Sequence, residues 1–164
     1  MAKISRLALI GFGLTAQNML RLGVNQAERV ITAFDPNTLH DDSCKTQLER
    51  FISSGVQGCF SVADAINSAH LILLSDAERD LTPWLEELVP QLKPGQMVAD
   101  LRSGSVDKVR LQQEVESRQA AFIDGEIDIH HDHLVIRSTQ HTRLLEIFKS
   151  LDIRTAHLDL NHAS

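Results

Sequence analysis

The chain has 164 residues, 43% hydrophobic and 23% charged, with a formal net charge of −6 and a pI near 5.7. That length suits one domain able to bury a substantial core, and the composition is not that of a disordered segment. The acidic balance argues against nucleic acid or an anionic membrane surface as main partner, and no apolar run approaches the ~20 residues of a membrane span.

The first predicted element carries the most information. Leu7 to Ile10 is an apolar run, too short for a signal-peptide core, that stops at Gly11. Gly11-Phe12-Gly13-Leu14-Thr15-Ala16 then opens a helix-forming segment. In this pattern the first glycine permits a tight strand-to-helix turn and the second lets backbone approach a pyrophosphate. The third small residue lets helix and strand pack closely. The pyrophosphate would rest on the unpaired amides and positive dipole end of the helix. A second apolar run, Val30 to Phe34, ends in Asp35, 24 positions after Gly11. An acid there is expected to hydrogen-bond the adenosine ribose and to repel the extra phosphate of NADP. No lysine or arginine follows in Pro36-Asn37-Thr38-Leu39-His40 to neutralise one, so NAD is the expected cofactor and NADP the less favoured. The alternative reading of Asp35-Pro36-Asn37 is a plain strand-ending turn.

Short apolar runs and helical patterns then alternate. A helix is expected over residues 41–54, a strand over Val56–Phe60, and a helix from Ser61-x-x-Asp64 that buries Val62, Ala65, Ile66 and Ala69. Cys44 and Cys59 lack a C-x-x-C spacing and read as reduced thiols of a cytoplasmic protein. Leu71–Leu74 is a continuous apolar strand, as one buried on both faces should be. Leu81, Trp84, Leu85, Leu88, Val89 and Leu92 form one helical stripe, with Thr82 as cap, Pro83 in the first turn and Trp84 in the core. Met97–Leu101 is the fifth strand. A helix over 105–118 follows, with Val106, Val109 and Val115 on its apolar side. Ala121–Ile129 is read as a sixth strand, Leu134–Arg137 as a seventh, Leu144, Phe148 and Leu151 as a helix, and Ile153–Leu158 as a final strand. This alternation predicts an α/β fold of Rossmann type: a single domain over 1–164, with a doubly wound, mostly parallel sheet and helices on both faces.

In open α/β sheets ligands lie beyond the carboxyl ends of the strands. That rule gathers the glycine turn, Asp35, Ser75-Asp76, Asp100 to Ser105 and Asp124 to Asp128 on one rim. Ser75 and Asp76 are candidates for the ribose or nicotinamide end, or are plain connecting loop. Arg102, with the amides of a helix start, is suited to a carboxylate or phosphate, or is simply solvated. His130-His131-Asp132-His133 has ligand-type side chains, but adjacent strand residues point to opposite faces, so a polar hairpin loop explains the run and no metal is expected.

The order of these motifs resembles the cofactor domain of the β-hydroxyacid dehydrogenases, which include 6-phosphogluconate dehydrogenase. Gly11-Phe-Gly13-Leu-Thr-Ala16 is similar to that family's glycine motif. Leu92-Lys-Pro-Gly95-Gln-Met-Val-Ala-Asp100-Leu-Arg-Ser103 is similar to its "L-x-P-G-x-x-x-x-D-x-S-T" segment, and Ala121-Phe-Ile-Asp124-Gly-Glu-Ile to its "F-x-D-A-P-V" strand. The resemblance implies a dinucleotide-dependent oxidoreductase with a glycine-rich substrate loop, a catalytic lysine on a later helix, and a helical second domain that closes the site and builds a dimer. Here Asp128, Ile129 and His130 stand where that loop would be. The last lysine is Lys149, in an earlier helix, and the sequence stops near where the interdomain helix would begin. The expectation is therefore a dinucleotide-binding domain that is an oxidoreductase only with a partner, whether a second copy or a separate helical subunit. Ser103, Arg102 and Asp124 are its only nominated catalytic groups. The alternative is a non-catalytic nucleotide-sensing or scaffold module with a degenerate pocket.

Overall fold

The computed structural model describes residues 3–103, 108–130, 133–138, 140–153 and 158–162. Five strands follow the expected apolar runs: β1 (Arg6–Ile10), β2 (Val30–Phe34), β4 (Leu71–Leu74), β5 (Met97–Asp100) and β6 (Ala121–Asp124). A two-residue β3 (Gln57–Gly58) completes a six-stranded sheet in the order β3-β2-β1-β4-β5-β6. Every pairing in it is parallel. The order reverses between β1 and β4, which makes that gap the switch point of a Rossmann-type α/β fold.

Parallel strands need covering on both faces, and β1 shows how the sequence does it. Leu7 and Leu9 enter one core with Phe12, Ile31, Phe51 and Phe148, while Ala8 and Ile10 enter another with Phe34, Ile72, Leu74 and Leu88. α1 (Leu14–Met19, prolonged by a wider turn over Leu20–Val24), α2 (Cys44–Ser54) and α6 (His141–Ser150) supply the first core. α3 (Val62–Ile66), α4 (Thr82–Gln91) and α5 (Val109–Ser117) supply the second. Trp84 packs edge-on against Phe34 at 5.2 Å, in the core as its stripe requires. Cys44 is half-buried and Cys59 buried, both as free thiols, and burial pushes the Cys59 thiol upward.

Several local expectations change. Thr82 is the first residue of α4 and not its cap, a position held by Leu81; the Asp80 carboxylate before it accepts from Thr82 N at 3.0 Å and Oγ1 at 2.8 Å. Val109 is exposed, and Leu111 and Val115 are the buried residues of α5; Val106 lies outside the described residues. The single run Ala121–Ile129 is broken at Gly125, whose amide donates to Asp100 O. Its second half is β7 (Glu126–His130), which leaves the parallel sheet for a separate three-stranded one, antiparallel to β8 (His133–Ser138); β8 in turn pairs parallel with β9 (Leu158–His162). The alternating apolar pattern continues through the break because Ile127 still packs into the first core. Asp128, Ile129 and His130 are thus paired strand residues rather than a loop, Asp128 opposite Val135 and His130 opposite His133. The last strand lies later than Ile153–Leu158; residues 154–157 lie outside the described residues.

A contact absent from the sequence reading ties α6 to the sheet. Arg29 is buried and its guanidinium donates to the carbonyls of Ile4, Val24, Ser150 and Leu151 and to Asp152. Four backbone acceptors without an intrahelical partner are satisfied by one planar fork.

Candidate functional site

The glycine turn sits at the carboxyl end of β1, at the switch point. Gly11 has φ +86°, and a Cβ there would run into the Ser75 carbonyl oxygen. Ser75 Oγ donates to Gly11 O at 2.9 Å, so the segment after β4 is fastened on this turn. A Cβ on Gly13 would lie 2.7 Å from Asp76 O. The close approach that the second glycine permits is therefore made by the chain's own Asp76 carbonyl. Beside it the start of α1 opens on a cleft of about 560 Å³, reached by Gly13, Thr15, Arg50, Asp76 and Glu78. The helix ladder begins with Gln17 N donating to Gly13 O, which leaves the amides of Leu14, Thr15 and Ala16 ahead of it. Leu14 is exposed at this entrance, and Ala16 is buried where the helix packs on the sheet.

Asp35 stands at the end of β2 as expected, but its carboxylate points inward. It is 1% exposed. One oxygen accepts from Phe12 N at 2.8 Å and the other from Asn37 N at 2.8 Å, capping a 3₁₀ turn over Pro36–Leu39 that Thr38 also fastens through Asp35 O. The acid and the glycine motif are joined through the Phe12 amide. Pro36 is the buried first residue of that turn.

Two arginines reach this corner from distant parts of the sequence. Arg79 Nε donates to Asn37 Oδ1 at 2.6 Å, and its Nη2 lies 3.5 Å from Asp42. Arg50 Nη1, on α2, donates to Glu78 Oε1 at 3.0 Å, and Asn37 Nδ2 faces Glu78 Oε2 at 3.5 Å. The Arg50 guanidinium holds the Glu78 carboxyl below its ordinary range. A local scan of residues 36–40 could not find these cations, because α2 and the segment after β4 bring them in.

At the other end of the rim each nominated catalytic group is held by a neighbouring charged side chain. Asp100 is fully buried and grips Arg102 through two bonds, 2.9 Å to Nε and 2.8 Å to Nη2. Lys108, missed in the sequence, donates to Asp100 O at 3.0 Å and Gly125 O at 2.9 Å and pairs with Asp124 Oδ1 at 2.9 Å. Ser103 donates from Oγ to Asp76 at 2.7 Å, with its amide 3.3 Å from the same carboxylate. Ser103 and Asp76 are thus brought together, and so are Asp100, Arg102, Lys108 and Asp124. Ser105 lies outside the described residues. So do His131 and Asp132; among the described residues no group of three His, Cys, Asp or Glu side chains is placed to hold a metal ion. Among them, too, no helix is long and apolar enough to cross a membrane.

These residues fit a dinucleotide at one end of the cleft, where open amides and Arg50 face a space of that size. They fit it less well where Asp76 O crowds Gly13 and two carboxylates line the wall. No protein-family model and no curated protein matches the sequence. Solved structures do match. A conserved hypothetical protein from Sinorhizobium meliloti superposes with a TM-score of 0.68 at 18% identity over 98% of this chain and 55% of its own. The imine reductase of Myxococcus stipitatus in complex with NADP+ gives 0.67 at 19% identity over 96% and 54%. The reductive aminase of Aspergillus terreus in complex with NADPH and ethyl levulinate gives 0.66 at 15% over 99% and 55%. The chain spans about half the length of these proteins. At such identities the likeness is one of fold: a Rossmann-type α/β domain.

Proposed function

We propose that the chain is a nicotinamide-dinucleotide-binding domain, related to the β-hydroxyacid dehydrogenases and imine reductases, which supplies the cofactor half of an oxidoreductase. The observation that carries this reading is the start of α1, open on a cleft of about 560 Å³ at the switch point of a six-stranded parallel sheet. The amides of Leu14, Thr15 and Ala16 would take the pyrophosphate, with Gly13 keeping the backbone clear. Asp35 acts from below, holding the Phe12 amide and so the shape of the turn. Ser75 does the same through Gly11 O.

The expectation of NAD gives way to NADP. It rested on the Asp35 carboxylate and on the absence of cations in residues 36–40, whereas that carboxylate is turned inward onto Phe12 N and Asn37 N, and Arg50 and Arg79 reach Glu78 and Asn37 from elsewhere in the chain. The imine reductase and reductive aminase that share the fold are in complex with NADP+ or NADPH, which supports the same choice.

When bound, the nicotinamide ring supplies or accepts a hydride. Reduction of a carbonyl or imine also needs a proton donor at the reacting atom and exclusion of water. Arg102 is held by Asp100, Asp124 by Lys108 and Ser103 by Asp76, so these groups shape the rim rather than carry a proton. The proton-transfer group would come from outside this rim, for example from a second copy or a helical subunit.

A second reading, a sensor or scaffold with a narrowed pocket, is favoured by one observation: Asp76 O closes on Gly13 and Glu78 pairs with Arg50 across the cleft. Thermal melting with NADP, with NAD and with neither separates the two. At 100 times the dissociation constant a bound nucleotide adds about 2.7 kcal/mol of stability. The larger shift is expected with NADP; no shift with either nucleotide supports the scaffold.

A further inference from the structure

The corner formed by Arg50, Arg79 and Asn37 has the chemistry of an anion site, and the chain fills it with its own carboxylate. Glu78 Oε1 takes the Arg50 guanidinium at 3.0 Å, and Oε2 faces the Asn37 amide at 3.5 Å. Arg79 orients that amide: its Nε donates to Asn37 Oδ1 at 2.6 Å, so Nδ2 is turned toward Glu78. Asn37 itself is fixed from behind, buried, with its backbone amide on Asp35 Oδ1. The Asn37 donor is therefore set in place, while the Arg50–Glu78 pair is loosely held: the Glu78 side chain is 63% exposed and that of Arg50 is 37% exposed. An exposed pair of this kind contributes little and is readily exchanged for another anion. Glu78 and Arg50 also line the cleft onto which α1 opens, so an anion attached to a ligand lying on α1 would meet this corner.

We propose that Glu78 is a built-in competitor for a phosphomonoester, the 2′-phosphate of a dinucleotide, and that its displacement from Arg50 and Asn37 sets how strongly this cleft prefers phosphorylated over unphosphorylated nucleotide. The inference rests on the dinucleotide reading above. A phosphate carries more charge and more acceptor oxygens than a carboxylate, so it wins the exchange. An unphosphorylated ribose leaves Glu78 where it is.

The test is calorimetric titration of the whole chain with NADP+, NAD+ and inorganic phosphate, for the wild type, Glu78→Gln and Glu78→Gln/Arg50→Gln. Glu78→Gln is expected to tighten NADP+ by about 5-fold, the scale of an exposed ion pair no longer to be broken, with NAD+ changed less than about 2-fold. The double variant should lose that gain. Inorganic phosphate should bind Glu78→Gln far more weakly than NADP+ does; equal affinity would make the corner a general anion site and overturn the assignment to a nucleotide. An unchanged NADP+ to NAD+ ratio in Glu78→Gln, with both nucleotides still bound, sinks this proposal alone. Weakened NAD+ with NADP+ unaltered also sinks it, because Glu78 would then be holding ribose hydroxyls. Failure of wild type and variants to bind any nucleotide takes down the dinucleotide reading as well. Circular dichroism melting of each variant shows that the fold is kept.

Discussion

The two ends of the sheet rim use charge in opposite ways. Beyond β1 and β2 the buried carboxylate of Asp35 faces backbone amides, while Arg50, Arg79 and Glu78 stand in partly exposed positions around an open cleft. Beyond β5 and β6, Asp100, Arg102, Lys108 and Asp124 satisfy one another, and the first three have side chains at most 11% exposed. A buried ion pair is costly to open, and an exposed one is not. The first end is therefore suited to exchanging partners with a ligand. The second is suited to holding β5, β6 and the start of α5 in register.

The largest effect that would test this contrast is on stability. Asp100→Ala leaves the Arg102 guanidinium buried without its partner, and a loss of about 3–5 kcal/mol in urea denaturation is expected. A loss under about 1 kcal/mol would mean that the far rim is solvated and not closed. Asp35→Asn replaces one acceptor oxygen by a donor, so either Phe12 N or Asn37 N loses its partner; a cost of about 1–3 kcal/mol is expected. Unlike Asp100→Ala, this change should also weaken nucleotide binding, because the glycine turn loosens. Equal nucleotide affinity in both variants would erase the distinction between the two ends. Gly13→Ala sets a methyl group against Asp76 O, and relief by moving the segment after β4 should cost about 1–2 kcal/mol. Titration with NADP+ then reports whether that shift widens or closes the cleft.

The smallest effect sharpens the boundary of the open end. The Thr82 amide and hydroxyl hold the Asp80 carboxyl below its ordinary range, so this contact favours the folded state above that range. As pH falls through the lowered pKa the contribution fades. The difference in melting temperature between wild type and Asp80→Ala should be present at neutral pH and shrink well below pH ~4. A difference that stays constant would assign the effect to helix propensity and not to the charge.

Much of the central sheet was legible because its signal is local. Leu71–Leu74 reads as a doubly covered strand from four consecutive apolar residues, and the glycine turn from Gly11 and Gly13 placed directly after an apolar run. The break at Gly125 was not legible. Ile127 keeps the apolar alternation of one long strand; Gly125 N still closes the parallel ladder on Asp100 O, and beyond it β7 pairs with β8 instead, a partner that only the tertiary structure supplies. The orientation of Asp35 was hidden for the same reason: an acid after a strand looks alike whether it faces a ribose or the amide of Phe12.

Short-range pattern, then, determined the α/β class, the order of its strands and helices, and the corner where the glycine turn would lie. Apolar periodicity and backbone conformation are properties of neighbouring residues. Tertiary structure alone decided how charge is distributed along the rim. Arg50, Lys108 and the adjacent pair Glu78 and Arg79 come from three different stretches, and each owes its role to partners up to about forty residues away. Electrostatic partnership depends on distance in space and on burial, and neither is written in the spacing of a linear chain.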